Sequence, residues 1–325
     1  MSLTTEQACK SLLSDADRTA LKAIFALRQA QGDTVVFDEP LAPFTSWKIG
    51  GPADALVLLE TEDELAALMR FCFKRKLPWF VLGGGSNVLV GDGGMRGIVV
   101  RLGAGFARVT VREGDGEVLV DAGASAPMAT VTARAASAGA VAIGSLSGIP
   151  GTVGGSLRMN AGTDREMGEF VRDVWVQSPS KPEPHSVNVT YFYRHSTLAR
   201  DAVVSRVTLA FAKADPRGVR EEMQTRLVRR KRTQPIALPN AGSCFRNPEG
   251  DKAARLIEAA GAKGWREGGA EVSPLHANFI NNVDNASAKD VATLLARVRR
   301  AVRDQFGVEL QLEVHLVGVF VDNET

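Results

Sequence analysis

Cysteine is scarce in this sequence. Cys9, Cys72 and Cys244 are odd in number and form no CxxC pair, which argues against a disulfide framework and a cysteine zinc site. Histidine is thin as well. His185, His195, His276 and His315 show no HxxxH ligand spacing, so no metal is expected. No apolar run reaches the roughly 18 residues that a bilayer span needs. No basic stretch near the start leads into an apolar one, so no secretory signal is expected, and a cytoplasmic location is. An excess of charge is missing too. Lys plus Arg number 39 against 37 Asp plus Glu, a net charge of +2. That balance leaves neither a nucleic-acid footprint nor a polybasic membrane anchor. The expected partners are small molecules, and a monomer is expected.

Glycine is what the chain has in excess, with 32 residues clustered at 83–94, 144–162 and 261–269. Glycine is entropically costly to order, so clustering calls for either tight turns or close approach of backbone to a ligand. The length of 325 residues suggests two or three domains.

Residues 1–31 read as an amphipathic helix with Leu12, Leu13, Leu21, Ile24, Phe25 and Leu27 on one side. Irregular chain with Pro40 and Pro43 follows. Residues 55–59 read as a strand and 61–72 as a helix opened by a Thr61–Glu64 capping box. Short apolar strands are expected at 79–82, 88–90 and 97–102, then alternating ones at 109–111 and 118–120. Residues 126–138 are helical in pattern, and strands are expected at 171–177, 187–193 and 203–211. Asp215-Pro216 marks a boundary. Beyond it come helices at 217–231, 251–260 and 288–305, the last opened by Ser287-x-x-Asp290, and strands at 277–281 and 309–320. The fold class is α+β: an N-terminal extension over 1–42, a two-lobed region over 43–214, and a C-terminal domain over 215–325.

Gly83-Gly84-Gly85-Ser86-Asn87 lies between two of the expected strands. Three glycines let backbone N–H groups converge on an anion, and Ser86 and Asn87 add side-chain donors. The loop is neither a Walker A motif nor a GxGxxG opening a helix. A tight hairpin with no ligand is the competing reading. A second stretch runs from Ser145 through Pro150, Gly151, Gly154 and Gly155 to Asn160, Ala161 and Gly162. A helix N-terminus there would offer donors to a phosphate; a glycine-rich corner between lobes is the alternative. Two such stretches favour a dinucleotide more than either alone.

Tyr193-Arg194-His195-Ser196 ends one strand, Ala241-Gly242-Ser243-Cys244 is a small-residue turn, and Glu313 sits in an apolar strand. Spacing alone does not join them. A lone glutamate in a strand commonly faces solvent, and Ser243 has no triad context. The basic end of the 217–231 helix, including Arg226 and Arg230, is either a solvated face or a diphosphate clamp.

In this order the motifs resemble the UDP-N-acetylenolpyruvoylglucosamine reductase family. Their carriers are SWKIGGPAD (46–54), VLGGGSNVLV (81–90), GIPGTVGGSLRMNAG (148–162), YRHS (193–196), AGSCFRNP (241–248), HANFIN (276–281) and EVHLVG (313–318). The resemblance implies two N-terminal subdomains of the vanillyl-alcohol-oxidase type holding FAD, and a C-terminal substrate domain. With only Glu249–Lys252 between Asn247-Pro248 and Ala253, the chain is similar to the type that lacks an extra tyrosine-bearing loop. It implies non-covalent FAD on Gly83, Gly84, Gly85, Ser86, Asn87, Pro150, Gly151, Gly154, Gly155, Asn160 and Ala161. NADPH would reduce the flavin and leave; UDP-N-acetylglucosamine enolpyruvate would then enter the same cleft and be reduced to UDP-N-acetylmuramate, a peptidoglycan precursor. Arg194 and Glu313 match the residues that steady the enolate-like intermediate, and Ser243 matches the proton donor to C2. Tyr193, Arg230, Arg246 and Asn247 are the candidate substrate contacts. To assist an anion, Glu313 should be buried, with a raised pKa. Another flavin oxidoreductase of the superfamily, or a non-catalytic nucleotide-binding relative, is the alternative.

Three positions depart from the pattern. Thr163-Asp164-Arg165 stand where Ala-Tyr-Gly is common, at one wall of the flavin site that the resemblance implies. His315 stands where arginine is common, and Cys244 where an aromatic, Thr or Val is usual; the cysteine is read as packing.

Overall fold

The computed structural model describes residues 10–29 and 34–321. The first lobe opens with helix α1 (Asp15–Ile24), started by a capping box in which the Ser14 side chain and Asp17 reciprocate. Leu13, Leu21 and Phe25 from this segment enter the lobe's core, whereas Leu12 and Ile24 are exposed. The expected helix is therefore shorter than 1–31, and only part of its apolar stripe is buried. Residues 1–9 and 30–31 of that expectation, and the side chain of Leu27, lie outside the description.

Residues 35–40, expected to be irregular, form strand β1 (Val35–Pro40), antiparallel to β2 (Pro52–Leu59). Pro40 punctuates only the end of this edge strand, where a missing N–H costs little. Helix α2 (Glu62–Arg75) carries the expected Thr61–Glu64 capping box. Strands β3 (Trp79–Val81), β4 (Val88–Val90) and β5 (Met95–Leu102) follow. The sheet runs β1-β2-β5-β3, and β2, β5 and β3 are mutually parallel. It is buried on both faces: Ile98 and Val100 turn toward α2, and Val99 toward Leu41 and Val90. That is the normal burial of parallel strands.

The second lobe is a five-stranded antiparallel sheet. Its strands β6 (Val109–Glu113) and β7 (Glu117–Gly123) are followed by helix α3 (Met128–Ser137) and the short helix α4 (Val153–Arg158). Strands β8 (Val171–Ser178) and β9 (Lys181–Val187) come next. The strand expected over 187–193 is not continuous. β9 stops at Val187, and a separate hairpin of β10 (Tyr191–Phe192) and β11 (His195–Ser196) follows. β12 (Val203–Ala212) completes the order β6-β7-β12-β8-β9.

Helix α5 (Pro216–Thr233) begins at the expected boundary, where Asp215 caps it through the Gly218 N–H. By packing it belongs with the second lobe: Val219 sits in that core and Met223 packs against it. The C-terminal core starts later, at Ala241, and gathers α6 (Ala253–Ala259), the hairpin β13 (Arg266–Glu267) and β14 (Ala270–Val272), β15 (Ile280–Asn282) and α7 (Ala288–Phe306). The turn Phe279 N–H to His276 O delays β15 relative to the expected 277–281. Ser287 and Asp290 form the expected capping box of α7. Of the strand expected over 309–320, only β16 (His315–Val317) is regular, with a single bridge at Leu312–Phe245 before it.

The C-terminal domain is knitted into the first lobe. β16 pairs in parallel with β4. Trp47, fully buried, donates its indole N–H to Ile280 O at 2.7 Å, and Asn282 Nδ2 donates back to Trp47 O at 3.0 Å. The Asp92 carboxylate accepts from the Ala288 and Lys289 N–H groups opening α7. A carboxylate there satisfies orphan donors and meets the positive end of the helix.

Candidate functional site

The strands flanking residues 83–87 settle the hairpin question. β3 belongs to the first sheet and β4 pairs with β16, so the glycine loop is a crossing between two sheets. It meets the second glycine stretch directly. A Cβ on Gly84 would lie 2.6 Å from Gly151 Cα, and Ser86 Oγ donates to Pro150 O at 3.1 Å. Gly85 adopts φ +62° with Phe44 O where a Cβ would go, so only glycine fits. Among the described residues, no hydrogen bond is made by the N–H groups of Gly83, Gly84, Gly85 and Ser86, nor by those of Gly151, Thr152 and Gly155. Seven backbone donors from two apposed loops, with no Cβ on most of them, suit the pyrophosphate of a dinucleotide. FAD fits this cradle. The N–H groups of Val153 and Gly154, by contrast, are taken by Ala126 O and Ala124 O.

One substitution tests the apposition. Gly84→Ala should separate the loops and lower the flavin-to-protein absorbance ratio of the purified protein several-fold, with unchanged far-UV circular dichroism. Gly218→Ala, where the nearest neighbour of a Cβ is 3.8 Å away, should leave that ratio alone. Equal flavin content in both variants would count against the cradle.

Asn160 and Ala161, also expected to hold FAD, follow helix α4. Asn160 is buried, with φ +45°, a left-handed conformation that asparagine tolerates. Its amide is consumed by protein: Nδ2 donates to Glu166 Oε2 (2.6 Å) and Phe192 O (3.0 Å), and Oδ1 accepts from the Gly168 N–H (2.8 Å). Ala161 N–H bonds to Ser156 O, and Ala161 O to the Met167 N–H. Asn87 Nδ2 donates to Glu313 O at 3.1 Å, so the flavin loop touches the C-terminal domain.

Arg194 and Glu313 meet, and the backbone next to Ser243 is bonded to Glu313. Arg194 is the second residue of the two-residue turn between β10 and β11, at φ +55°. A left-handed arginine costs about 1 kcal/mol or more and persists only where its surroundings enforce it. Here Nε donates to Glu313 Oε1 (2.8 Å), Nη1 to Glu166 Oε1 (3.1 Å) and Nη2 to Gly162 O (3.0 Å). Its guanidinium also lies over the exposed Tyr193 ring, 4.7 Å from the centroid. Glu313 is held from the other side, its N–H donating to Cys244 O at 2.8 Å, one residue from Ser243. The Cys244 N–H is in turn fixed by Asn278 O. Ser243 is half-buried, and its hydroxyl makes no hydrogen bond among the described residues.

The Glu313 side chain is only 16% exposed. Burial raises its pKa above the ordinary 4.5, against the lowering pull of Arg194 and Arg246. The expectation of a buried Glu313 with a raised pKa matches this geometry. Glu166 is raised for the same first reason, with Arg194 opposing and Glu169 and Glu313 adding to the rise. Glu166 escaped the sequence reading because no motif marks a glutamate there.

The remaining candidates separate. Arg246 is half-buried, and its Nε has no partner among the described residues. Asn247 is exposed, and its Oδ1 accepts the Ala253 N–H that starts α6, a capping duty that its sequence context did not suggest. The basic end of α5 divides in two. Arg229, Lys231 and Arg232 face solvent. Arg226 grips Asp164 through both carboxylate oxygens, at 2.7 and 2.9 Å. Arg230 packs on Gly148 without an ion pair among the described residues, and burial lowers its pKa. The Arg226 grip on Asp164 fastens the 162–166 loop to α5, Thr163 Oγ1 ties it to Ser145 O, and Arg165 pairs with Glu169 in its own turn. His315 Nε2 lies 3.0 Å from Met159 Sδ, across the gap between domain and second lobe. Burial pushes the Cys244 thiol up to about 12, in keeping with packing rather than reactivity. Among the described residues no cluster of His, Cys, Asp or Glu could hold a metal ion, and no helix is long and apolar enough to cross a membrane.

Known proteins resemble the whole of this arrangement. Residues 53–177 match the family model described as an FAD binding domain. Residues 234–317 match that of the C-terminal domain of UDP-N-acetylenolpyruvoylglucosamine reductase. The chain is 43% identical over 295 residues to the UDP-N-acetylenolpyruvoylglucosamine reductase of Anaeromyxobacter sp. (strain Fw109-5), covering 90% of this chain and 91% of that one. It is 43% identical over 287 residues to the enzyme of the same name from Moorella thermoacetica, covering 87% and 93%. The crystal structure of the reductase from Thermus caldophilus superposes with a TM-score of 0.74 at 34% identity, over 87% of this chain and 97% of that one.

Proposed function

Because the chain belongs to the UDP-N-acetylenolpyruvoylglucosamine reductase family, FAD-dependent oxidoreductases of peptidoglycan precursor synthesis, we propose that its cleft reduces the enolpyruvyl double bond at the expense of NADPH, using Arg194, Glu313 and Ser243. The observation that carries this reading is the ion pair of Arg194 with Glu313, whose backbone is bonded both to the residue after Ser243 and to Asn87 of the glycine loop. Bound FAD supplies the two-electron transfer from the nicotinamide nucleotide to the substrate.

The protein's own part is to stabilise charge and deliver one proton. Reduction at C3 leaves negative charge spread over C2 and the substrate carboxylate. Arg194 stands with its Nε and both Nη groups already oriented by three acceptors, so no reorganisation is needed as that charge grows. A neutral Glu313 donates a hydrogen bond to the same anion; its burial favours the protonated form. Ser243 gives its hydroxyl proton to C2, a weak acid matched to a strongly basic carbon within reach. Arg230 and Arg246, half-buried cations without ion pairs among the described residues, support contacts to the diphosphate and carboxylate of the substrate. Tyr193 and Asn247, both exposed at the rim, belong to the same reading. A reducing cytoplasm completes it, supported by Cys72 and Cys244, both buried and unpaired; a monomer belongs to the same proposal.

Glu313 provides the test. Activity that needs its neutral form should fall as pH rises through its folded pKa, which lies above the ordinary carboxylate value. Glu313→Gln, permanently neutral, should keep turnover within roughly an order of magnitude of wild type and lose that alkaline limb. A glutamine variant as slow as Glu313→Ala, with the limb intact, would show that the carboxylate works as an anion.

A further inference from the structure

Arg194 is held between two carboxylates, and only one of them has a part in the chemistry above. We propose that Glu166 is the positioning residue of this site: it fixes the Arg194 guanidinium from the second-lobe side, so that the cation stays aimed into the cleft when Glu313 turns to the substrate. The proposal rests on the catalytic reading of Arg194 and adds to it a residue that makes no substrate contact of its own.

Glu166 is placed by more than its own turn. Its Oε1 accepts from Arg194 Nη1 at 3.1 Å, and its Oε2 from Asn160 Nδ2 at 2.6 Å. Asn160 is itself locked by Phe192 O and the Gly168 N–H. Phe192 O belongs to β10, so one amide joins the hairpin that carries Arg194 to the loop that carries Glu166. The backbone N–H of Glu166 is taken by Glu169 Oε1 at 2.7 Å. Both oxygens of Glu166 therefore point at fixed donors. The Glu166 side chain is 23% exposed and that of Arg194 16%, so the pair is largely shielded and its geometry is not lost to solvent competition. A planar fork held at Nε, Nη1 and Nη2 cannot rotate about its last bonds. Without Glu166, once Glu313 turns to the substrate, it could pivot on the single contact to Gly162 O.

The charge arithmetic gives Glu166 a second effect. The charged groups facing it are Arg194 from the hairpin turn, Glu313 from the C-terminal domain, and Glu169 from its own turn, itself paired with Arg165. Glu313 faces Arg194, Arg246 and, beyond Arg246, His315. Glu166 and Glu313 repel through the shared guanidinium, so each favours the protonated form of the other. Removing the charge at 166 lets the Glu313 carboxyl ionise at lower pH.

The test compares Glu166→Ala with Glu166→Gln in the FAD-loaded enzyme. The alanine variant should lose about 10- to 100-fold in kcat for enolpyruvyl reduction with little change in KM, because the lost aim is felt when charge develops. Its flavin content and its rate of reduction by NADPH should stay at wild-type values. Glutamine keeps an acceptor for Nη1 but sets its NH2 against the Asn160 Nδ2 donor, so it should recover part of kcat, while its alkaline limb moves to lower pH. Independently of turnover, the Arg194 Nη1–H resonance in 15N-labelled protein, the group that Glu166 holds, should be protected from exchange in wild type and Glu166→Gln and exposed in Glu166→Ala. Loss of flavin or of melting temperature in step with kcat, or no recovery by glutamine, would overturn the proposal. So would an Arg194 resonance indifferent to residue 166. An exposed resonance with unchanged kcat would uphold the hold on Arg194 and refute the catalytic reading instead.

Discussion

Ser243→Ala should abolish nearly all turnover of the enolpyruvyl sugar nucleotide while leaving reduction of the bound flavin by NADPH at its wild-type rate. The split follows from where the hydroxyl sits. Backbone on either side of Ser243 is pinned: the Gly242 N–H donates to Asn240 Oδ1 at 3.0 Å, and Cys244 is bonded through both its N–H and its C=O. The hydroxyl itself makes no hydrogen bond among the described residues. Alanine therefore deletes a proton donor and little else, and the change in stability should stay within about 0.5 kcal/mol. General acid catalysis contributes about 10²- to 10⁴-fold, and the loss in kcat should fall in that range. Stopped-flow measurement of the two half-reactions separates them. Equal damage to both would mean that Ser243 shapes the cleft rather than supplying the proton.

Arg194→Ala should be nearly as severe, and for two reasons at once. A preorganised donor to a developing anion is worth roughly 10²- to 10³-fold in rate. Its removal also leaves Glu166 and Glu313 facing one another with no cation between them, and both should then hold protons to higher pH. Arg194→Lys should recover only a small part of the rate, because one ammonium cannot serve Glu313, Glu166 and Gly162 O in the plane that the guanidinium spans. Single-turnover oxidation of pre-reduced enzyme by the substrate is the measurement. A wild-type rate in the alanine variant would remove Arg194 from the reaction.

How much of this was legible in the sequence differs from element to element. Helices with strong local signals were readable. Thr61 with Glu64 and Ser287 with Asp290 announce α2 and α7, and the structure forms both capping boxes. Strand β1 was not readable, because its pairing with β2 is a tertiary fact and Pro40 drew attention to the wrong feature. The run from Leu310 to Val319 has strand composition but only three residues with a regular ladder partner, since composition reports burial and not pairing. The two glycine stretches were legible as ligand loops; their contact, Gly84 against Gly151, was not. Arg194, Ser243 and Glu313 were singled out, but spacing could not unite residues separated by as many as 119 positions. Glu166 had no local signature at all. Its significance comes from Asn160 and from a hairpin 32 positions further on, and such information exists only once the chain has folded.

The parallel pairing of β4 with β16 also sets the order in which the molecule can be made. Residues 88–90 leave the ribosome long before residues 315–317 exist, and Trp47 must wait equally long for Ile280. The first lobe is therefore born with an unpaired strand and an indole that has no partner, and neither is satisfied until more than 200 further residues have been made. Contacts of such sequence separation slow folding, and an uncovered strand edge invites association with other chains meanwhile. Nascent chains of this protein pass through that exposed condition while those residues are made, which makes this interval one in which holding chaperones protect its yield.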